Sequence, residues 1–152
     1  MGFAHRDVKP ENVLIDERGY LQVADLGVSK RVNAQTQTYV GTPMYMAPEV
    51  LAGTSYGQAV DIWALGVIMF EMAKGRTPFE DCPATLASRR RPLLFSGDND
   101  PVEDVIAKTM TFDPDERVIN VGVGFAALRS HSWFLEFDWE ELRANRLPAP
   151  WV

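Results

Sequence analysis

Residues 5–12 read HRDVKPEN. Only four residues precede it. Working outward, NVLID (12–16) and LQVAD (21–25) are short apolar runs joined by ERGY. Gly19 marks a turn, and the spacing predicts a small hairpin. Residues 28–46 are polar and Thr-rich without helical periodicity, which reads as a long loop. APEVL then starts a short helix with Pro48 in its first turn.

Residues 59–74, AVDIWALGVIMFEMAK, are apolar on nearly every face, the mark of a helix buried all round, and Gly75 ends it. DPVEDVIAKTMTF (100–112) is amphipathic, with Asp100 as N-cap and Pro101 at the first helical position. DPDER is a turn. Residues 123–130 read as a further helix, weakened by Gly122 and Gly124. A short acidic helix follows FDW, and LPAPWV ends the sequence as an irregular tail. The sum is an α+β, mainly α-helical domain with one small β-hairpin and no internal boundary, repeat or low-complexity tract.

The 152 residues suffice for one domain with a sizeable core. An apolar fraction of 46% and four Trp argue for a globule. A net charge of −6, from 15 basic and 21 acidic residues, argues against a nucleic-acid binder and permits a basic peptide as partner. The lone Cys82 cannot form an internal disulfide, which points to a reducing compartment. The longest apolar run, 62–70, is too short to cross a bilayer, and no signal-peptide core is present. The start is Met-Gly, but Arg6 stands where a myristoylation signal has Ser or Thr. The expectation is a cytoplasmic or nuclear protein that binds neither membrane nor nucleic acid.

Several short motifs follow HRDVKPEN in order: DLG (25–27), APE (47–49), DIWALG (61–66), DP (113–114), Arg117 and HSWF (131–134). In this order they resemble the C-terminal lobe of a eukaryotic protein kinase, with HRDVKPEN as the catalytic loop, DLG as the metal-binding triplet and APE as the end of the activation segment. The resemblance implies that residues 1–134 are the kinase C-terminal lobe and 135–152 the start of a C-terminal tail of the AGC type. ATP and Mg²⁺ are the implied cosubstrate and metal.

A hydroxyl attacking a phosphate needs a positioned carboxylate to orient it and accept its proton, and Asp7 fills that role. Lys9 can neutralise charge on the moving phosphoryl group. Asn12 and Asp25 offer hard oxygen ligands suited to Mg²⁺. By resemblance, Thr42 in GTPMY hydrogen-bonds Asp7 and Lys9, and Leu14 packs under the adenine ring, ordinary core being the alternative. His5 and Leu26 are expected to stack in an apolar column, Asp61 to accept from the catalytic-loop backbone, and Glu49 and Arg117 to form a buried ion pair. Leu26 departs from the usual Phe, which bears on the balance between active and inactive loop positions.

KPEN resembles serine/threonine rather than tyrosine kinases. TQTYVGTPMYMAPE is similar to the activation segment of the AGC group, which makes Thr38 the regulatory phosphorylation site, ahead of Ser29, Thr36 and Tyr39. Arg6 suits a phosphate dianion there, and an upstream activating kinase is the implied partner. Residues 117–134 keep the length of the corresponding stretch in cyclic-nucleotide-dependent kinases, including Asn120 and Gly124. Glu11 and Glu71 match acidic residues that hold a substrate arginine, which makes basic peptides the implied substrates, whereas Met44 replaces an acidic residue. The stretch 80–99 is short, and Arg89–Arg91 within it reads as a solvated charged face rather than a docking site.

A kinase also needs a Gly-rich loop, a strand lysine and its glutamate partner. No G-x-G-x-x-G occurs: Gly122 and Gly124 are followed by Ala127 where the last glycine should stand. The resemblance implies an N-terminal lobe ahead of these motifs that the 152 residues do not contain, and the expectation is that apolar surface meant to meet it faces water. The alternatives to a partial serine/threonine kinase are a non-catalytic kinase-like binding module and a gene remnant. Intact Asp7, Asn12 and Asp25 favour the kinase. The isolated chain is expected to bind Mg-ATP very weakly, and a micromolar affinity in a calorimetric titration overturns that expectation.

Overall fold

The computed structural model describes residues 2–32, 36–82, 84–97, 100–117 and 126–150. Four short strands come from the first 31 residues: β1 (Phe3–Ala4), β2 (Val13–Ile15), β3 (Leu21–Val23) and β4 (Lys30–Arg31). β2 and β3 form the expected antiparallel hairpin, with Leu14 opposite Gln22. Asp16 builds its turn by accepting from the amides of Arg18 and Tyr20, both at 2.9 Å. This is the local side-chain capping that favours Asp in turns.

Six α-helices follow: α1 (Pro48–Leu51), α2 (Ala59–Lys74), α3 (Leu86–Arg89), α4 (Pro101–Thr109), α5 (Ala126–Arg129) and α6 (Trp139–Arg143). The described residues are therefore mostly helical with two small sheets. α2 is the axis of the fold. Trp63, Val67 and Phe70 project from it into a core shared with Met46, Val50, Tyr56, Phe79, Ile106 and Met110. On its other side Ile62 meets Val105 and Leu128. α4 crosses close beside α2, because Gly66 has no side chain. A Cβ there would stand 2.6 Å from both Met110 Cγ and Thr109 Oγ1.

α2 is buried all round only as far as Phe70, and Met72 in its last turn is 81% exposed. α4 has the expected N-cap, Asp100 accepting from the Val102 amide at 2.9 Å. It ends at Thr109 rather than running to 112. The hydroxyls of Thr109 and Thr111 bond back to carbonyls one turn earlier, which competes with helix propagation. Residues 28–46 are not a plain loop. β4 pairs with β1, Phe3 opposite Arg31, and Pro43–Tyr45 form a 3₁₀ turn. Two-residue strands carry no period that a sequence could display. Of the helix expected at 123–130, Ala126–Arg129 is helical. Residues 123–125, with Asn120, Gly122 and Gly124, lie outside the described residues, as does the end of the tail at 151–152. The acidic helix after FDW is α6, capped by Asp138.

Beyond α4, Arg117 is 1% exposed and Glu49 6%. Arg117 donates Nη1 and Nη2 to the two carboxylate oxygens of Glu49 at 2.8 and 3.0 Å. It also donates to the carbonyls of Ala59 at 2.8 Å and Thr111 at 3.0 Å. The expected ion pair is thus present, and every direction of the guanidinium fork is used. Replacing Arg117 by Met should cost roughly 3–5 kcal/mol, because Glu49 is left buried without a counter-charge. Adding Glu49→Leu to that variant should recover part of the loss. Urea unfolding of the two variants measures both quantities, and a double variant no more stable than Arg117→Met contradicts this assignment of the cost.

Candidate active site

The site is assembled around the backbone of residues 5–7. Asp61, in the first turn of α2, accepts from the amides of His5 and Arg6, each at 2.8 Å. Burial pushes its carboxyl pKa up, and these two amides pull against that shift. With its amide fixed, Arg6 is held at φ +73°, a left-handed conformation that costs a non-glycine residue about 1 kcal/mol or more. The kink presents Asp7 to residues 41–42.

Asp7 Oδ1 accepts from the Thr42 amide at 2.8 Å and from Thr42 Oγ1 at 2.7 Å. Its Oδ2 meets Lys9 Nζ at 3.1 Å and Asn12 Nδ2 at 3.3 Å. Lys9 Nζ donates to Thr42 Oγ1 at 2.8 Å, so the threonine hydroxyl gives its proton to Asp7 and receives one from Lys9. Burial works to raise the Asp7 pKa, but hydrogen bonds from Thr42 and Lys9 outweigh it and hold the carboxyl below its ordinary value. Asp7 is therefore anionic at neutral pH, as a proton acceptor must be. The structure brings Asp7, Lys9, Asn12 and Thr42 into one cluster.

Asn12 is buried and lends its amide nitrogen to the Asp7 carbonyl at 2.8 Å. Its own carbonyl accepts from Ala24 at 2.8 Å, so the hairpin register sets Asn12 beside the residue before Asp25. Asp25 is exposed at φ +56° and caps the 3₁₀ turn 26–28 by accepting from the Gly27 amide at 3.1 Å. The donor set is one carboxylate and one amide, all hard oxygen. Among the described residues no group of three or more His, Cys, Asp or Glu gathers to cage a metal. Two protein oxygens completed by phosphate and water suit Mg²⁺, which keeps much of its hydration.

Two expectations near the cleft need correction. Leu26 is 69% exposed and His5 turns its ring nitrogen Nε2 to the Ala24 carbonyl at 2.8 Å. With Leu26 so open to solvent, the two do not form a packed column. Leu14 is 53% exposed, so the ordinary-core reading fails. On β2 it stands opposite Gln22, while its neighbour Ile15 pairs with Leu21 on the other face of the hairpin.

On the opposite side, Glu71 Oε2 accepts from Tyr45 Oη at 2.9 Å. Burial, that hydrogen bond and the charges of Glu71 and Glu11 all push the Tyr45 pKa far up. Arg6 Nε donates to the Val28 carbonyl at 2.5 Å and Nη1 to Tyr56 Oη at 3.2 Å. Tyr56 Oη in turn donates to the Thr38 carbonyl at 2.7 Å, so one phenol separates Arg6 from the Thr38 backbone. Thr38 and Tyr39 are exposed, Thr36 is 2% exposed, and Ser29 Oγ donates to the His5 carbonyl at 3.4 Å.

The reading of Arg89–Arg91 as a solvated face is also corrected. Arg90 and Arg91 are exposed, but Arg89 is buried and donates to the carbonyls of Pro43, Met44 and Met46. Tyr45, Tyr56 and Arg89 were not legible as site residues. Their partners are a distant carboxylate and backbone carbonyls, which leave no local pattern.

The protein kinase domain model matches residues 1–134, and the chain belongs to the protein kinase family. Within it, the chain is similar to cyclic-nucleotide-dependent kinases. It is 39% identical over 97% of its length to the cAMP-dependent protein kinase catalytic subunit of Dictyostelium discoideum, covering 24% of that protein. The corresponding values are 36%, 97% and 42% for the human cAMP-dependent protein kinase catalytic subunit PRKX. For human cGMP-dependent protein kinase 2 they are 33%, 99% and 21%. The chain thus spans less than half the length of these relatives. Among the described residues no helix is long and apolar enough to cross a membrane.

Gly41 makes the junction between the two halves of the cluster possible. It lies at φ +111°, and a Cβ there would collide with the Arg6 carbonyl oxygen. Gly41→Ala should destabilise the chain by roughly 1–3 kcal/mol and break the Thr42–Asp7 contact. Thermal unfolding together with the chemical shift of the Thr42 amide checks this, and an unshifted amide contradicts it.

Proposed function

We propose that this chain is the C-terminal lobe of a serine/threonine protein kinase that transfers the γ-phosphoryl group of ATP to Ser or Thr of basic protein substrates. The observation that carries the reading is the cluster at Asp7. A carboxylate with depressed pKa is aimed by one threonine and flanked by one lysine, with Asn12 beside it. In this reading Asp7 accepts the proton of the substrate hydroxyl as its oxygen bonds to the γ-phosphorus. The bond from that phosphorus to the β–γ bridging oxygen breaks and ADP leaves. Lys9 sits where it can offset charge on the transferring group. Asn12 and Asp25 would hold Mg²⁺, which supplies charge neutralisation at the phosphates. Leu14 contributes apolar surface under the adenine ring.

Glu11 and Glu71 form the site for a substrate arginine, each charge-assisted bond contributing roughly 1.5–3 kcal/mol before desolvation. Phosphorylation of exposed Thr38 by an upstream kinase would bring a dianion to Arg6, displacing the Tyr56 bridge. Residues 135–152 begin a C-terminal tail. Its described part folds back on the hairpin turn, where Tyr20 Oη donates to the Leu147 carbonyl at 2.7 Å and Arg18 to that of Asn145 at 3.0 Å. The lone cysteine fits the cytoplasm or nucleus.

The test joins this chain to the N-terminal lobe of a cAMP-dependent kinase and measures peptide phosphorylation. Asp7→Asn should lose orders of magnitude in turnover while the fold, monitored by circular dichroism, persists. Glu11→Gln with Glu71→Gln should abolish a preference for arginine ahead of the acceptor. Full turnover by Asp7→Asn, or a peptide profile without arginine preference in the unmutated protein, overturns the corresponding part of the reading.

A further inference from the structure

Arg89 ends α3 and is 3% exposed, yet no carboxylate pairs with it among the described residues. Its guanidinium is directed at backbone instead. Nη2 donates to the Pro43 carbonyl at 2.7 Å and the Met44 carbonyl at 3.3 Å, and Nε donates to the Met46 carbonyl at 3.1 Å. Nη1 donates to Ser88 Oγ at 3.2 Å. The group lies over the Phe79 ring, 4.0 Å from its centroid, in a cation–π contact that partly replaces lost hydration. Burial lowers its pKa to about 10, so it remains a cation at neutral pH.

An apolar side chain would fill this space without desolvating a charge. What arginine adds is direction. Its N–H groups form a rigid planar fork, and the carbonyls of 43, 44 and 46 meet that fork together only while the turn keeps its present shape. The turn stands between two contacts already described: Thr42 on Asp7 at one end, Tyr45 on Glu71 within it. Arg89 is itself held from behind, since α3 is capped by Thr85, whose hydroxyl accepts from the Ser88 amide at 3.3 Å.

We propose that Arg89 is a positioning residue that clamps the 43–46 turn through its carbonyls, keeping Thr42 on Asp7 and Tyr45 on Glu71, and so tunes engagement of the peptide substrate rather than of the nucleotide. The clamp acts on the site read above as a kinase active site, and its substrate arm rests on that reading. Arg89 touches no reacting atom. Its effect passes through the turn.

The test uses the full chain with Arg89→Met and Arg89→Lys. Amide hydrogen exchange is followed by NMR at Thr42, Tyr45 and Met46, with Val67 and Phe70 of α2 as internal reference. Arg89→Met should speed exchange at the three turn amides by about tenfold or more while the reference amides stay protected, as expected of a local opening. Arg89→Lys keeps the charge and is the variant that decides if Arg89→Met fails to fold. A single ammonium cannot span the carbonyls, so the turn should still loosen. In the chain joined to a relative's N-terminal lobe, Arg89→Lys should raise the KM for peptide severalfold and leave the KM for ATP in place. Unchanged exchange at the turn, or an increase shared equally by α2, overturns the proposal, and so does a loosened turn with an unaltered peptide KM. If the unmutated assembly phosphorylates nothing, the kinase reading fails, whereas the exchange measurement still decides whether Arg89 clamps the turn.

Discussion

The rest of the structure depends on one buried ion pair. Arg117 and Glu49 are both almost fully withdrawn from water and meet in a bidentate contact. Glu49 belongs to α1, which follows directly on the turn carrying Thr42 and Tyr45. Arg117 also holds the Ala59 carbonyl at the start of α2, two residues before Asp61. The pair therefore sets the distance between the stretch that supplies Thr42 and the helix that supplies Asp61. Those two residues grip the backbone and side chain of residues 5–7 from opposite sides. A pair of this kind contributes less to net stability than its Coulomb energy suggests, since both ions lose their hydration. What it contributes is register.

Much of this was legible in the chain itself. The motifs from His5 to Phe134 carried the fold and the Asp7 cluster, because each pairs a chemical type with a fixed place in an order. α2 followed from an apolar run ended by glycine, and the N-cap of α4 from Asp-Pro at the helix start. The less legible features share a physical cause. β1 and β4 are two residues each and have no period. Arg89 lies in a run of three arginines, for which a wet surface is the reasonable default. Its burial is decided by carbonyls more than forty positions away in sequence, and a carbonyl is the same in every residue.

Strain and satisfaction are distributed in a consistent way. Arg6 and Asp25, the two non-glycine residues with positive φ nearest the site, bracket the hairpin. Each is fixed by hydrogen bonds: Arg6 through Asp61, and Asp25 through the Gly27 amide. Gly41 completes the set by approaching the Arg6 carbonyl where any side chain would collide. The strained positions thus lie where the site's two halves touch, and the helical core beneath, built on Trp63, Val67 and Ile106, is the rigid body against which they are held.

The exposed apolar side chains on and around the hairpin bear on how the domain behaves as temperature changes. Phe3, Leu14, Ile15, Leu21, Val23 and Leu26 are each more than half exposed. A surface that covers them releases ordered hydration water and carries a negative heat-capacity change. Contacts made there weaken on cooling, whereas the carboxylate at the centre of the Asp7 cluster responds to charge and pH. The hairpin surface and the Asp7 cluster consequently differ in the variable that moves them most, temperature for one and pH for the other.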